Sequence, residues 1–446
     1  MIKKKLTLTL TVILLLSLLV GCANIDPDKN ESDEEPVSDF VGVSEVSLPD
    51  YDGFSDTITI ATTDTSPFVA YEDTAGTLAV AIEDRNMLLA EKYSVEIKTS
   101  YFTAEDVLSD AASSTLSGIR FADLFCFSAD LTMQLDAMGK LCDISTLPDK
   151  SEIIAAVGED NLIYGAKGTL SAVAHSSTLY QQSAECVFYN RAMIKSLGLV
   201  DPAVLYAEDK WTYDEFLRYS HTIAADIMNK GSIDYESDTF GFCAIDNNER
   251  LSEMLWHTSG QKFMTELGGE PMMPYDVTEQ NTAVETLNAI YKDRSRYDQS
   301  GNKAAELFAS GRSGMLIYKL DYCKALEDTE LEYGVVPMMG GRGYVSGDEL
   351  VYSLGTTTDA TYSSAVLLTL LRASGDMFEK ALSDSYTLLY SRNNAMTVMI
   401  DRVIKSAGFG NELLLCNNDE KYQNVFKEAI TDAVTTGKKF VASENK

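Results

Sequence analysis

Residues 57–68, TITIATTDTSPF, and residues 84–102, DRNMLLAEKYSVEIKTSYF, decide the fold. In the first stretch Thr57 and Thr59 alternate with Ile58 and Ile60, the two-residue period of a strand, and Thr62-Thr63-Asp64-Thr65-Ser66-Pro67 reads as a loop. The second ends a helical pattern running from Leu78 to Lys92, with Val80, Ile82, Met87, Leu88 and Leu89 on its apolar side, and enters a strand over Ser94 to Tyr101. A second helix is expected over Asp106 to Ile119 and a third strand over Ala122 to Phe127. Strand, helix, strand, helix, strand argues a parallel sheet with helices on its faces. Such sheets bind ligands beyond the carboxyl ends of their strands. Two loops therefore become candidate site segments: Thr63-Asp64-Thr65, and Phe127-Ser128-Ala129-Asp130.

Further along, Gly168 to Ser176 and Ala184 to Tyr189 read as strands, and Asn190 to Leu199 as a short helix stopped by Gly198. Thr212, with Glu215 three residues on, is a capping-box start for another helix. A strand over Thr239 to Ile245 leads to Asp246-Asn247-Asn248-Glu249-Arg250 and a helix through Trp256. A helix near Thr278 to Asp293 precedes short strands at Met315 to Tyr318 and Glu332 to Val336. Ser363 to Ser406 is mostly helical, and Tyr422 to Phe440 reads as a long closing helix.

The amino terminus carries Lys3, Lys4 and Lys5, then an apolar run from Leu6 to Val20. Fifteen helical residues reach about 22 Å, short of the roughly 30 Å bilayer core, so the run reads as a signal peptide over 1–21. It ends Leu19-Val20-Gly21-Cys22. Residues 22–56 are acidic and poor in large apolar side chains, which predicts a flexible tether.

About 390 residues follow the tether, too many for one ordinary core, so two lobes are expected. The formal charge is −32, and loss of the leader's lysines makes it more negative. So acidic a surface repels phosphate backbones, which argues against nucleic acid as a partner. Beyond Cys22, the cysteines Cys126, Cys142, Cys186, Cys243, Cys323 and Cys416 are scattered, several in apolar stretches, and read as small buried hydrophobes. His175, His221 and His257 lack metal-ligand spacing, and no metal or cofactor is expected.

Several segments, in order, resemble the extracellular solute-binding proteins of ABC importers, in the group that includes maltose-binding protein. They are the Cys22 lipobox and tether, DRNMLLAEKYSVEIKTSYF, ADLFCFSADLTMQLDAMGKLCDIS (122–145), CVFYNRAMIKSLGL (186–199), KWTYDEF (210–216), FASGRSGMLIY (308–318) and LEYGVVPMM (331–339). The likeness covers about residues 57–440. It implies an α/β fold of two lobes, of the type II periplasmic-binding kind, with the ligand in the cleft between them and closure about a hinge. Lobe 1 is expected over 57–187 with a return segment at about 340–395, and lobe 2 over 188–339 with the helices of about 396–446. The resemblance also implies acylation of Cys22, palmitate included, anchorage at the outer face of the cell membrane, ABC permease partners, and a monomer that is not an enzyme.

By position, the family's cleft loops fall on Thr63, Asp64, Thr65, Phe127, Ser128, Asp130, Asn247, Asn248, Glu249, Tyr318, Lys319 and Asp321. Planar Asp, Asn and Glu groups suit sugar hydroxyls, and Phe127 or Tyr318 could stack on a pyranose face. Each has a plainer reading. Phe127 reads equally as core, Asp64 and Asp130 as caps, and Asn247 to Glu249 as an exposed turn. Trp211 and Trp256 read as structural anchors, while His175, Tyr344 and Tyr352 stand at the margin. The function expected is capture of a small polar solute, an oligosaccharide above all. A surface-tethered glycoside hydrolase and a ligand-sensing lipoprotein are the alternatives.

Overall fold

The computed structural model describes residues 47–443 except 73, 75, 118–121, 226–235, 263, 268–269, 357–358 and 424–427, with backbone alone at 111–117, 266–267, 270 and 421. The leader, Cys22 and most of the expected tether lie outside the described residues. The strands are β1 (Thr57–Thr62), β2 (Glu96–Tyr101), β3 (Leu124–Ser128), β4 (Leu162–Tyr164), β5 (Leu170–Val173), β6 (Glu185–Asn190), β7 (Phe240–Ala244), β8 (Thr265–Leu267), β9 (Glu270–Met272), β10 (Ser313–Lys319), β11 (Tyr333–Pro337) and β12 (Leu350–Ser353).

The fold is α/β with two lobes, each built on its own sheet. One sheet runs β2-β1-β3-β12-β5-β4, the other β11-β6-β10-β7, and β8 pairs with β9 as a hairpin. β1 is parallel to β2 and β3, while β12 is antiparallel to both β3 and β5. In the smaller sheet β10 runs parallel to β7, and β6 is antiparallel to β10 and β11. β6 straddles the boundary expected at 187, because Glu185 already pairs with Lys319.

The alternation read in the sequence has a direct packing cause. In β3, Leu124 and Cys126 join Ile58, Ile60, Val366 and Leu370 on one face of the sheet. Phe125 and Phe127 join Ala61, Val107, Leu131 and Leu135 on the other. Both faces are covered, so the strand reads as a continuous apolar run.

Two local expectations need correcting. The last residues of the tether are packed rather than free: Leu48 is buried, and the Phe54 ring lies 4.9 Å from Tyr93 and 6.1 Å from Tyr362. A few apolar anchors outweigh the acidic average of the segment. The closing helix stops before Phe440: its last described stretch is Glu428–Thr436, followed by Gly437 at a positive φ of 78°. β12 has no strand alternation in its four fully buried residues, and the return segment takes this form only by pairing on both sides. Among the described residues no helix is long and apolar enough to cross a membrane.

Candidate functional site between the two sheets

The chain's own connections bring two sheet edges together. β5 leads to β6 through residues 174–184, and β11 leads to β12 through residues 338–349. Both links are short, and both join the same edges. The carboxyl ends of β1, β3 and β5 must therefore face the carboxyl ends of β7 and β10 and the amino end of β6. A third link follows from the helices. Asn394–Ser406 packs on β11, and Asn411–Asn418 packs on the helix Ala129–Ala137 that follows β3.

The turn Ser346-Gly347-Asp348-Glu349 lies at the centre of this interface. Asp130 and Ala129 donate their backbone N–H groups to the carbonyls of Gly347 (2.8 Å) and Glu349 (2.9 Å). From the other side Arg250 donates to Asp348 at 2.7 Å, and Lys319 to Glu349 at 3.3 Å. Asn418 closes the ring by donating its Nδ2 to Asp130 Oδ1 at 2.6 Å. Gly347 leaves room for this arrangement: a Cβ there would overlap the Asp130 carboxylate and force it to shift.

Beneath this ring Glu185 is fully buried at the start of β6, and among the described residues no donor reaches either of its carboxylate oxygens. The Asp246 carboxyl lies within hydrogen-bonding reach, and its Oδ2 also lacks a donor. Two acceptors meet in this way only if one holds a proton. Burial pushes the Glu185 carboxyl well above the usual carboxylate range, Asp246 adds to this, and Lys319 and Arg250 oppose it. Burial likewise raises Asp321, against the pull of Lys324 and Lys319.

Asp130 and Lys319 thus meet around one turn, and Asn247 to Glu249 open the helix Asn248–Thr258 that carries Arg250. Their individual roles differ from one another. Asn247 is the N-cap of that helix, accepting from Arg250 N at 2.9 Å. Asn248 accepts from Arg296 Nη2 at 2.6 Å, and Glu249 is exposed beside Gln423 and Asp432. Ser128 caps the helix Ala129–Ala137, accepting from Leu131 N at 3.3 Å. Tyr318 is half-buried, edge-on to Tyr322 at 5.7 Å, and Asp321 is half-buried beyond β10.

Phe127 offers no stacking face. It is fully buried with Phe125 at 5.3 Å, because odd positions of β3 point into the sheet's covered face. Asp64 is exposed and occupied locally, accepting from Ser66 N (2.8 Å) and Ser66 Oγ (2.9 Å). Thr63 and Thr65 are half-buried in the same loop, and Thr65 Oγ1 bonds Tyr71 OH at 2.6 Å. The buried Arg85 holds this loop from below, donating Nη1 to Pro67 O at 2.8 Å while its guanidinium lies 5.4 Å from Phe68 and 5.0 Å from Phe378. Tyr352 and His175 are buried, joined through Ser177 Oγ at 2.9 Å to each. Burial, then the charge of Arg85, pushes His175 down to about 4. Trp211 and Trp256 are core, and Trp211 Nε1 donates to Pro337 O at 3.2 Å.

Glu185, Arg250, Asp348, Glu349 and Asn418 were not among the sequence candidates. Glu185 had a readable signal, a carboxylate opening the otherwise apolar run ECVFYN. The others lie on turns and helix ends whose partners are distant in sequence.

The family model for bacterial extracellular solute-binding proteins matches residues 88–387. The chain belongs to this family. Among solved structures, this solute-binding protein is similar to a cyclo/maltodextrin-binding protein complexed with maltotetraose, at 15% identity and a TM-score of 0.52, covering 87% of this chain and 94% of that one. It is similar to an extracellular solute-binding protein from Staphylococcus aureus in complex with maltose, at 13% identity and a TM-score of 0.52, covering 86% and 98%. It is also similar to an uncharacterised protein from Listeria monocytogenes, at 12% identity and a TM-score of 0.55, covering 86% and 95%. At these identities the likeness is one of fold, and the fold is the two-lobed one expected. No curated protein matches the sequence.

Proposed function

We propose that this solute-binding protein captures an oligosaccharide between its two sheets and delivers it, unaltered, to an ABC importer. The observation that carries the reading is the ring of Asp130, Asn418, Arg250, Asp348, Lys319 and Glu349 around one turn at the facing strand ends. These are planar or charged hydrogen-bonding groups of the kind that fix hydroxyl positions. Thr63, Asp64, Thr65, Ser128, Asn247, Asn248, Glu249, Tyr318 and Asp321 lie on loops that border the same strand ends. Neighbouring structures hold maltose and maltotetraose, which makes glucose oligomers the first ligands to try.

The lipobox reading places the chain on the outer face of the membrane through Cys22, with permease subunits as its partners. A thermal-shift screen of sugars tests the solute. A hit should raise the melting temperature by mass action and be recovered intact, whereas cleavage of the sugar would favour a tethered hydrolase. Cys22→Ser tests the anchor: the variant should leave the membrane fraction for the medium, and continued membrane retention would refute lipidation there.

A further inference from the structure

A cavity of about 480 Å³ lies where the inter-lobe links run side by side, and it shares no lining residue with the ring around Gly347. Its walls come from the end of the helix Lys150–Val157, the β5–β6 link, the β11–β12 link, the head of the helix Met377–Tyr390 and the segment after Ser406. The size is that of a small-molecule pocket rather than a packing defect.

The walls carry both signs of charge. Arg342 stands on the β11–β12 link and Lys405 in the last turn of the helix Asn394–Ser406, beside the place where Gly343 N donates to Ser406 O at 2.8 Å and Val345 N to Gly408 O at 2.9 Å. Asp160 stands beyond the helix Lys150–Val157, and Asp376 and Glu379 at the head of a helix that packs on Gly76–Tyr93. Cations and carboxylates thus line the same cavity. Lys405 is paired with Asp401 at 3.0 Å. Arg342, Asp160, Asp376 and Glu379 are in no ion pair among the described residues.

We infer that this cavity binds a small zwitterion, a free α-amino acid or close analogue, with its carboxylate at Arg342 and its ammonium at Glu379 and Asp376. A lone anion would meet three carboxylates, and a lone cation would meet Arg342 and Lys405, whereas a dipolar ligand can satisfy both signs of charge. His257 does not compete for the carboxylate. Burial, then the charge of Arg342, pushes its imidazole down to about 4, so it is neutral near pH 7. Burial raises the Glu379 carboxyl, with Lys405 opposing and Asp376 and Asp401 adding to the shift, and a ligand ammonium would stabilise its charged form.

The test uses the whole folded protein in calorimetry and thermal shift with the common L-amino acids, with acetate and methylamine as half-ligands. At least one amino acid should bind where neither half-ligand does. Arg342→Ala and Glu379→Gln should each weaken it about tenfold or more, while maltotetraose binding between the sheets survives in both variants. The inference is overturned if no amino acid binds, if binding survives both substitutions, or if Gly347→Ala abolishes it instead. The last result would place the amino acid in the cleft and count against a sugar ligand, whereas failure to bind any amino acid would leave the sugar reading untouched.

Discussion

Arg250 and Asp348 meet at 2.7 Å, tying the first turn of the helix Asn248–Thr258 to the link that returns the chain to the six-stranded sheet. The Asp348 side chain is 69% exposed and that of Arg250 19%. A pair so open on one side adds only about 0–1 kcal/mol to stability. Its geometry matters more, since it sets where the link lies against the smaller lobe. Asp348→Ala should leave the melting temperature nearly unchanged and weaken sugar binding by roughly threefold to tenfold, mainly through faster release. Stopped-flow release rates equal to those of the parent protein would contradict this.

Gly347→Ala probes the other side of the same turn. The new methyl group would displace the Asp130 carboxylate from Asn418 without touching either core. Sugar affinity should fall about tenfold or more, with a stability loss of about 1–2 kcal/mol. A variant with undiminished affinity would remove Asp130 from the site.

Glu185 gives a pH dependence of definite sign. Burial raises its carboxyl well above the ordinary glutamate value in the folded chain, so between that value and its folded pKa the folded state holds the extra proton. Stability from this group is therefore present at low pH and is lost as pH rises through that window. Glu185→Gln keeps the shape and supplies a permanent donor to Asp246. It should stabilise the protein at pH 8 by about 1–3 kcal/mol, and the gain should shrink towards pH 4. Denaturant melts at both pH values check it, and a pH-independent difference would show that Glu185 is not the titrating group.

Arg85 is fully buried, and burial pushes its guanidinium down to about 10. It donates to Pro67 O and to Asn86 Oδ1 and, among the described residues, has no carboxylate partner. Arg85→Ala should cost about 2–4 kcal/mol, through the space left and the freed Pro67 carbonyl. Arg85→Met should cost less, since the buried charge goes while the volume largely stays. Hydrogen exchange at Ser66 and Phe68 should quicken in both. Equal losses in the two variants would mean that charge, not packing, sets the cost.

Much of the fold was legible because its causes are local. The period of Thr57 to Ala61 marks a strand edge to edge with β2 and β3. Thr212 caps its helix as read, accepting from Glu215 N at 3.3 Å. The site was harder for the same reason. Asn247, Ser128 and Asp64 are the residue types that bind ligands and also the types that cap helices and turns, and here each does the local work. Phe127 at a strand end looks alike whether it faces a cleft or a core, and only the helix over it decides.

By itself, the sequence determined that strands and helices alternate, that two lobes are needed, and that an apolar run of residues precedes Cys22. Those follow from periodicity, length and composition, which act over neighbouring residues. The tertiary structure alone decided which side chains share the gap. Asp130 meets Asn418 across 288 positions of chain and Arg250 meets Asp348 across 98, contacts that no local pattern encodes because they depend on how every intervening element packs.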